Sequence, residues 1–362
     1  MLGGPDREAF MVYNVAIIGY GGMAHCHFER VSSHERIRFV GVYDPDPKRC
    51  ELAAKEGMKV YSSEEELFAD KDVNIVLVAT PNDVHKEICI AAMRAGKHVI
   101  CEKPVTLSST ELEEIIAVRD ETGMLFTINQ NRRVDVDYLL MKEQIESGII
   151  GEPYIVESRV EGSRGMPSGW RTIKSMGGGM MLDWGVHLID QILCMFDERV
   201  ANVFCKMYNI EYSDVDDNFT LIMSFQSGLT VHIEVGTNNY IAHPRWYVRC
   251  ETGTLVIDDW ECTGKIVRCI DKENVWADEI VYTKAGPTKT MAPRNPRTTE
   301  TIEIAAETTG HTRLAPTYDQ LIDAIEGRAP LKITAEQALR VMRVMEAAFE
   351  SSERGVAVNT DI

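Results

Sequence analysis

The residues best placed to do chemistry begin with a glycine cluster, Gly19-Tyr20-Gly21-Gly22-Met23-Ala24. It matches G-x-G-x-x-A between a predicted strand and a predicted helix. Gly19 permits a tight turn, Gly21 lets the backbone approach a pyrophosphate, and Ala24 lets helix and strand pack closely. The helix N-terminus attracts the phosphate charge. Asp44 ends the second predicted strand, where a carboxylate bonds the hydroxyls of an adenosine ribose. That acid repels a 2′-phosphate, so NAD is the expected cofactor. Lys48 and Arg49 soften the preference over NADP. The bland alternative, a glycine-rich turn without a ligand, does not explain Asp44.

Two further strand ends carry polar side chains. Thr80-Pro81-Asn82 and His85 follow the fourth predicted strand, and Glu102-Lys103-Pro104 follows the fifth. The carboxyl ends of parallel strands form the ligand crevice. Thr80, Asn82, His85, Glu102 and Lys103 are therefore candidates for the nicotinamide side of the cofactor. Asn82 could equally cap the next helix, and His85 could be a surface residue. Later, Gly177-Gly178-Gly179 leads into a helical stretch holding Asp183 and His187, at i and i+4 on one helix face. Oxidising a secondary alcohol requires removal of its proton as hydride leaves, and a histidine suits that task. Asp183 would orient the imidazole or bond a neighbouring hydroxyl. A capping aspartate and a buried structural histidine are the plain alternative. His25, Cys26 and His27 lie in the phosphate-binding helix, and no third ligand accompanies the Asp183/His187 pair, so no metal site is read.

The elements that must position these residues follow from periodicity. Apolar runs at 14–18, 38–43, 58–61, 74–79, 97–101 and 124–128 alternate with helical patterns at 24–32, 47–56, 64–69, 84–95 and 108–122. This predicts βαβ units and a doubly wound parallel sheet. After 130 the pattern changes. A helix is expected at 135–147, a strand at 152–161, an aperiodic stretch at 162–179 and a helix at 180–196. Strands in quick succession over 201–282 predict an antiparallel sheet. The Pro- and Thr-rich stretch 284–300 reads as a surface loop, and helices at 315–326 and 335–353 close the chain. The fold class is therefore α/β, divided as a loose arm (1–10), a nucleotide domain (11–131) and a second α/β domain (132–362).

Length and charge set limits. The 362 residues correspond to roughly two domains. The net charge of −18 argues against nucleic acid or an anionic membrane as partner. Nine cysteines without a C-x-x-C pair argue against a disulfide framework and for a reducing compartment. The opening residues lack an apolar signal-peptide core, and a cytoplasmic location is expected.

These motifs together make the chain resemble the glucose–fructose oxidoreductase / inositol dehydrogenase / rhizopine-catabolism (Gfo/Idh/MocA) family from about Asn14 onward. The carriers are the glycine cluster, Ala79-Thr80-Pro81-Asn82, Glu102-Lys103-Pro104, Asn131-Arg132-Arg133, Gly148-Ile149-Ile150-Gly151-Glu152-Pro153, Gly177-Gly178-Gly179 with Asp183 and His187, and the tail from Tyr318 to Val358. The resemblance implies an N-terminal Rossmann domain and a C-terminal domain with a large, mostly antiparallel open sheet, through which subunits associate as homo-oligomers. It implies a catalytic or substrate-orienting role for Lys103, and an acid/base role for His187 with Asp183 beside it. The implied activity is NAD-dependent oxidation of a secondary ring hydroxyl of a sugar, glycoside or cyclic polyol, with C3 as the expected carbon. Alternatives are a glycosidase or lyase that uses bound NAD transiently, an inositol dehydrogenase, and a nucleotide-sensing regulator, which would be expected to lose Lys103. Arg132, Arg159, Trp170, Arg171, His243 and Trp246 are the expected lining of the carbohydrate pocket. Aromatic faces pack on pyranose C–H surfaces and guanidinium groups bond hydroxyls.

Overall fold

The computed structural model describes residues 11–272, 280–289, 294–306 and 314–362. The expected arm at 1–10 lies outside the described residues. The first unit holds β1 (Tyr13–Ile18), α1 (Gly22–Val31), β2 (Ile37–Tyr43), α2 (Pro47–Lys55), β3 (Lys59–Val60), α3 (Glu64–Ala69), β4 (Ile75–Val78), α4 (His85–Arg94), β5 (His98–Cys101), α5 (Ser109–Thr122) and β6 (Phe126–Ile128). Its six strands are all parallel, in the order β3-β2-β1-β4-β5-β6. Val15, Ile17, Ile75, Leu77, Val99 and Ile100 are fully buried, as a sheet covered by helices on both faces requires. The strand order reverses between β1 and β4. That switch point opens a crevice at the strands' carboxyl ends.

The second unit begins with α6 (Val136–Glu146) and β7 (Pro153–Glu161), followed by α7 (Val186–Met195). Then come β8 (Val200–Tyr208), β9 (Asn218–Phe225), β10 (Thr230–Gly236), β11 (Trp246–Cys250), β12 (Gly253–Ile257) and β13 (Thr263–Cys269). The chain continues through β14 (Val281–Thr283), β15 (Gly286–Thr288), β16 (Thr299–Ala305), α8 (Ala315–Ile325), α9 (Ala335–Arg354) and β17 (Val358–Asn359). The large sheet runs β16-β13-β12-β11-β7-β10-β9-β8-β17, antiparallel except for the β7–β10 pair. Its strands alternate buried and half-exposed residues, which gives one face to the core and leaves the other open. Val231, Ile233, Leu221 and Val248 pack inward with Leu188 and Ile192 of α7 and Val341 and Met345 of α9.

Three expectations are revised. The stretch 284–300 is not one loop: β15 pairs with β14, and the Thr-Glu-Thr-Ile-Glu-Ile alternation of β16 adds an edge strand beside β13. Its residues 290–293 lie outside the described ones. The helix expected at 180–196 starts as one wide i→i+5 turn, Met181–Gly185, and only then becomes α7. Finally α8, far along the chain, belongs with the first sheet. Leu314, Tyr318, Leu321 and Ile322 join the apolar cluster of Val15, Ile17 and Phe39. Among the described residues no helix is long and apolar enough to cross a membrane, and none of the nine cysteines forms a disulfide.

Trp246 also departs from expectation. Its indole is fully buried, not in a ligand pocket. The ring N–H donates to Asp137 at 2.8 Å, and Arg245 pairs with the same carboxylate at 3.0 Å. Both charged groups are 3% exposed, so each depends on the other for compensation. Asp137→Ala strands the Arg245 guanidinium in the core and is expected to lower stability by about 3–5 kcal/mol. Urea unfolding of the variant checks this, and a loss well under 1 kcal/mol contradicts it.

Candidate active site

Gly19 closes the turn after β1 at φ +86°. A Cβ there would lie 2.8 Å from the Ala79 carbonyl oxygen, so only glycine fits. Gly21 precedes α1 without a side-chain cap, and a Cβ on Gly22 would meet nothing within 4 Å. The N-terminus of α1 thus has no side-chain cap, and there is room beside Gly22. Asp44, 5% exposed, accepts the Tyr20 N–H at 2.6 Å and the Asp46 N–H at 2.8 Å. Arg49 reaches the same carboxylate at 3.2 Å. Thr80 carries a buried hydroxyl with no hydrogen-bond partner. Uncapped amides that donate, an acid at the end of β2 that accepts from ribose hydroxyls, and an orphaned hydroxyl across the crevice fit a dinucleotide. The Tyr20 ring turns away, its hydroxyl donating to Glu56, and burial raises its pKa. Met23 is exposed in the first turn of α1.

Three other candidates hold the crevice walls together. Asn82 donates to the Gly177 carbonyl at 3.1 Å, bridging the two units. His85 is buried, its ring nitrogens 3.0 Å from the Thr80 and Pro104 carbonyl oxygens, and burial lowers its pKa. It fastens the loop after β4 to the turn after β5. The Glu102 carboxylate points inward, 2.8 Å from the His27 ring and 2.7 Å from the Asn129 amide that donates to it. His27 meets the Tyr318 hydroxyl of α8 at 2.7 Å on its other nitrogen. Burial pushes the Glu102 carboxyl up, but the bonds from His27 and Asn129 and the nearby charges hold it below its ordinary value. In all three, a buried polar side chain has taken protein partners, as burial demands.

Lys103 leaves the end of β5 and reaches the second unit. Its ammonium donates to the Asp183 carboxylate at 2.9 Å and to the Asp183 carbonyl at 2.8 Å. Arg171 bonds the other carboxylate oxygen at 3.2 Å. Burial raises the Asp183 carboxyl, yet the two cations outweigh it and hold the pKa down. The sequence reading paired Asp183 with His187. Instead Asp183 turns to the two cations, and His187 Nδ1 is buried with no partner. Burial, then the charges of Lys103 and Arg132, push the His187 pKa well below its ordinary value. The imidazole is neutral near pH 7 and can accept a proton.

The turn bearing these residues is anchored from behind by Asp216, which lies outside the sequence-derived set. Its carboxylate accepts the Met181 N–H at 2.7 Å and its carbonyl accepts the Met180 N–H at 2.9 Å. Gly179, at φ +107°, leaves the space: a Cβ would lie 2.2 Å from Asp216 Oδ1. Burial pushes the Asp216 carboxyl up to about 6.

Asp183 and Arg132 border a cleft of about 780 Å³, also lined by Glu161, Ser163, Arg164, Met180, Trp184, Thr237 and Trp260. Arg132 pairs with Asp135 at 2.8 Å and lies over the Trp184 ring at 4.0 Å. The structure thus brings Lys103, Asp183, His187, Arg132 and Arg171 together. The other substrate candidates lie elsewhere. Arg159 sits on the open face of the sheet between Glu157 and Glu234, because its place in β7 alternates outward. His243 is exposed and bonds Glu161 at 3.0 Å. Trp170 packs on Arg171, 4.5 Å away, outside the cleft lining. Asp216, Thr237 and Trp260 carry no motif, and no local signal would have singled them out; in the sequence His27 reads only as a candidate metal ligand, and Trp184 lies between Asp183 and His187 without a signal of its own.

Comparison with known proteins agrees with this architecture. Residues 13–130 match the profile described as oxidoreductase family, NAD-binding Rossmann fold, and residues 138–256 match the GFO/IDH/MocA C-terminal domain. The chain is 40% identical to a crystallised NAD-binding protein from Listeria innocua, with a TM-score of 0.92, covering 97% of this chain and 100% of that one. It is 30% identical to the scyllo-inositol 2-dehydrogenase (NADP(+)) IolW of Bacillus subtilis over 80% of this chain and 79% of that one. An uncharacterized oxidoreductase of Schizosaccharomyces pombe is 35% identical over 176 residues, 48% of each chain, so the match spans about half that relative's length.

The electrostatics of His187 are directly measurable. In histidine-labelled protein, NMR should show its imidazole titrating well below the ordinary histidine value. Lys103→Met should move its pKa up, because one of the charges opposing protonation is gone. Native titration near the ordinary value of about 6.5, or no upward shift in the variant, contradicts the assignment.

Proposed function

This chain belongs to the Gfo/Idh/MocA family of oxidoreductases, and on that premise we propose a nicotinamide-dependent dehydrogenase of carbohydrate ring hydroxyls. The substrate is a sugar, glycoside or cyclic polyol, with C3 of a hexose or glycoside as the carbon oxidised. The observation that carries the reading is a neutral, partnerless His187 beside the Lys103–Asp183 pair, whose Asp183 borders the cleft. The inositol named for the Bacillus subtilis relative is itself a cyclic polyol.

When bound, NAD accepts or returns hydride at nicotinamide C4. Gly19, Gly21, Gly22 and the first turn of α1 would hold its pyrophosphate, Asp44 the adenosine ribose, and Thr80 the nicotinamide side. His187 takes the hydroxyl proton at Nε2, since Nδ1 is sealed in the core. Lys103 donates to the same or the neighbouring oxygen and steadies charge on it, and Asp183 fixes the position of its ammonium. Asp44 favours NAD. Arg49, bonded to that acid, is the residue through which NADP would be accommodated. Subunits associate through the open face of the large sheet, where Ile222, His232, Glu157, Tyr247 and Val256 form a half-exposed row across five strands. The enzyme works in the cytoplasm, with no nucleic-acid or membrane partner.

The test is nicotinamide absorbance with added NAD over free hexoses, aryl and alkyl glycosides, sugar acids and inositols. Stoichiometric NADH from one group is expected. His187→Ala and Lys103→Ala should each lower kcat by at least about 10²-fold. Release of aglycone with only catalytic NAD would move the protein to redox elimination. Silence across the panel, with NAD shown to bind, sinks the proposal.

A further inference from the structure

From Asp183 and Arg132 the cleft runs to a wall of two indoles. Trp184 stands on the wide turn between Asp183 and His187, its ring 6.1 Å from the His187 ring. Trp260 comes from the turn joining β12 to β13. The two ring centroids are 6.0 Å apart with planes inclined by 53°. Trp260, with the Arg245 guanidinium 5.2 Å from its ring centroid, still leaves 47% of its surface exposed, and an exposed indole surface is costly in water. Its turn carries Cys262 at φ +57°, in the left-handed region that non-glycine residues seldom adopt, and such strained turns cluster at ligand sites. On the same cleft, Thr237 at the end of β10 is only 9% exposed, and its buried hydroxyl has no hydrogen-bond partner. The cleft volume of about 780 Å³ exceeds what one pyranose ring fills.

We propose that Trp184, Trp260 and Thr237 form a second subsite for a ring joined to the one being oxidised. The substrate is then a glycoside, not a free hexose or an inositol. This deepens the carbohydrate reading above and rests on it. An indole face packs against the C–H face of a second pyranose or an aryl aglycone. The orphaned Thr237 hydroxyl takes a hydrogen bond from the same ring, which satisfies a group otherwise buried without a partner. Placed on the far side of Trp184 from the hydroxyl being oxidised, the second ring orients the first toward His187.

Calorimetric titration of the full chain saturated with NADH tests this. The probes are glucose, myo-inositol, both anomers of phenyl glucoside, and the disaccharides maltose and cellobiose. At least one two-ring probe should bind tenfold or more tighter than glucose and inositol. Trp260→Ala should cut that advantage at least fivefold, Trp260→Phe should keep most of it, and Thr237→Val should weaken the two-ring probe more than glucose. Melting temperature confirms that each variant is folded. Equal binding of one-ring and two-ring probes, no binding of any, or an advantage untouched by Trp260→Ala overturns the subsite. Turnover separates the two proposals. Glycosides that bind through Trp260 but never reduce NAD defeat the dehydrogenase and leave the subsite. Inositol oxidised without a two-ring advantage does the reverse.

Discussion

The Lys103–Asp183 ion pair is the contact on which the rest of the site depends. It joins residues 80 positions apart, one at a parallel-strand end and the other on a wide helical turn of the second unit. Neither charge is fully solvated, so each is tolerable only because the other is present. Arg171 adds a second cation, which keeps Asp183 ionised. The excess positive charge falls on His187, which burial and Lys103 together hold in its neutral form. One ion pair therefore positions a hydrogen-bond donor, closes the seam between two sheets and prepares a base.

That pair is held by a scaffold of buried polar groups. Glu102, the residue before Lys103, is locked by His27 and Asn129, and His27 is locked by Tyr318. The chain of contacts runs from α1 through the turn after β5 to α8. The phosphate-binding helix and the lysine-bearing turn thus share one network. Such networks are costly when incomplete and rigid when satisfied. His85 and Asn82 extend it to the loop after β4 and to Gly177. Side chains that sequence position assigned to a ligand instead fix the walls against which a ligand would lie.

The cleft shows a division of labour between its ends. At one end Asp183 is charged and mostly buried against Lys103, where proton removal needs fixed dipoles and little water. The other end is aromatic and open, where binding area and ring shape matter more than charge. The turn Met181–Gly185 sits between them and contributes to both, with Asp183 on one side and Trp184 on the other. Asp216, between β8 and β9, anchors that turn, so its geometry is set by the second unit rather than by the crevice.

What the sequence by itself determined was most of what local backbone rules govern, the edge strand β16 and the wide turn Met181–Gly185 excepted. The six parallel strands were legible because buried strands read as Val- and Ile-rich runs between helical periods. The turn at Gly19 was legible because only glycine tolerates its φ and its close neighbour, and Lys103 because it follows a strand that must end at the crevice. The tertiary structure alone decided which side chain meets which. Asp183 and His187 share a helix face on paper, yet two cations from elsewhere draw the carboxylate away. Trp246 has the composition of a sugar platform, but Asp137, 109 residues earlier, gives its ring N–H a partner in the core. Trp184 and Trp260 carry no shared motif, and their pairing exists only once β12 and β13 are folded beside the wide turn. Periodicity and turn chemistry act over a few residues, whereas the burial, charge compensation and ring contacts that make a site act between segments the chain must first bring together.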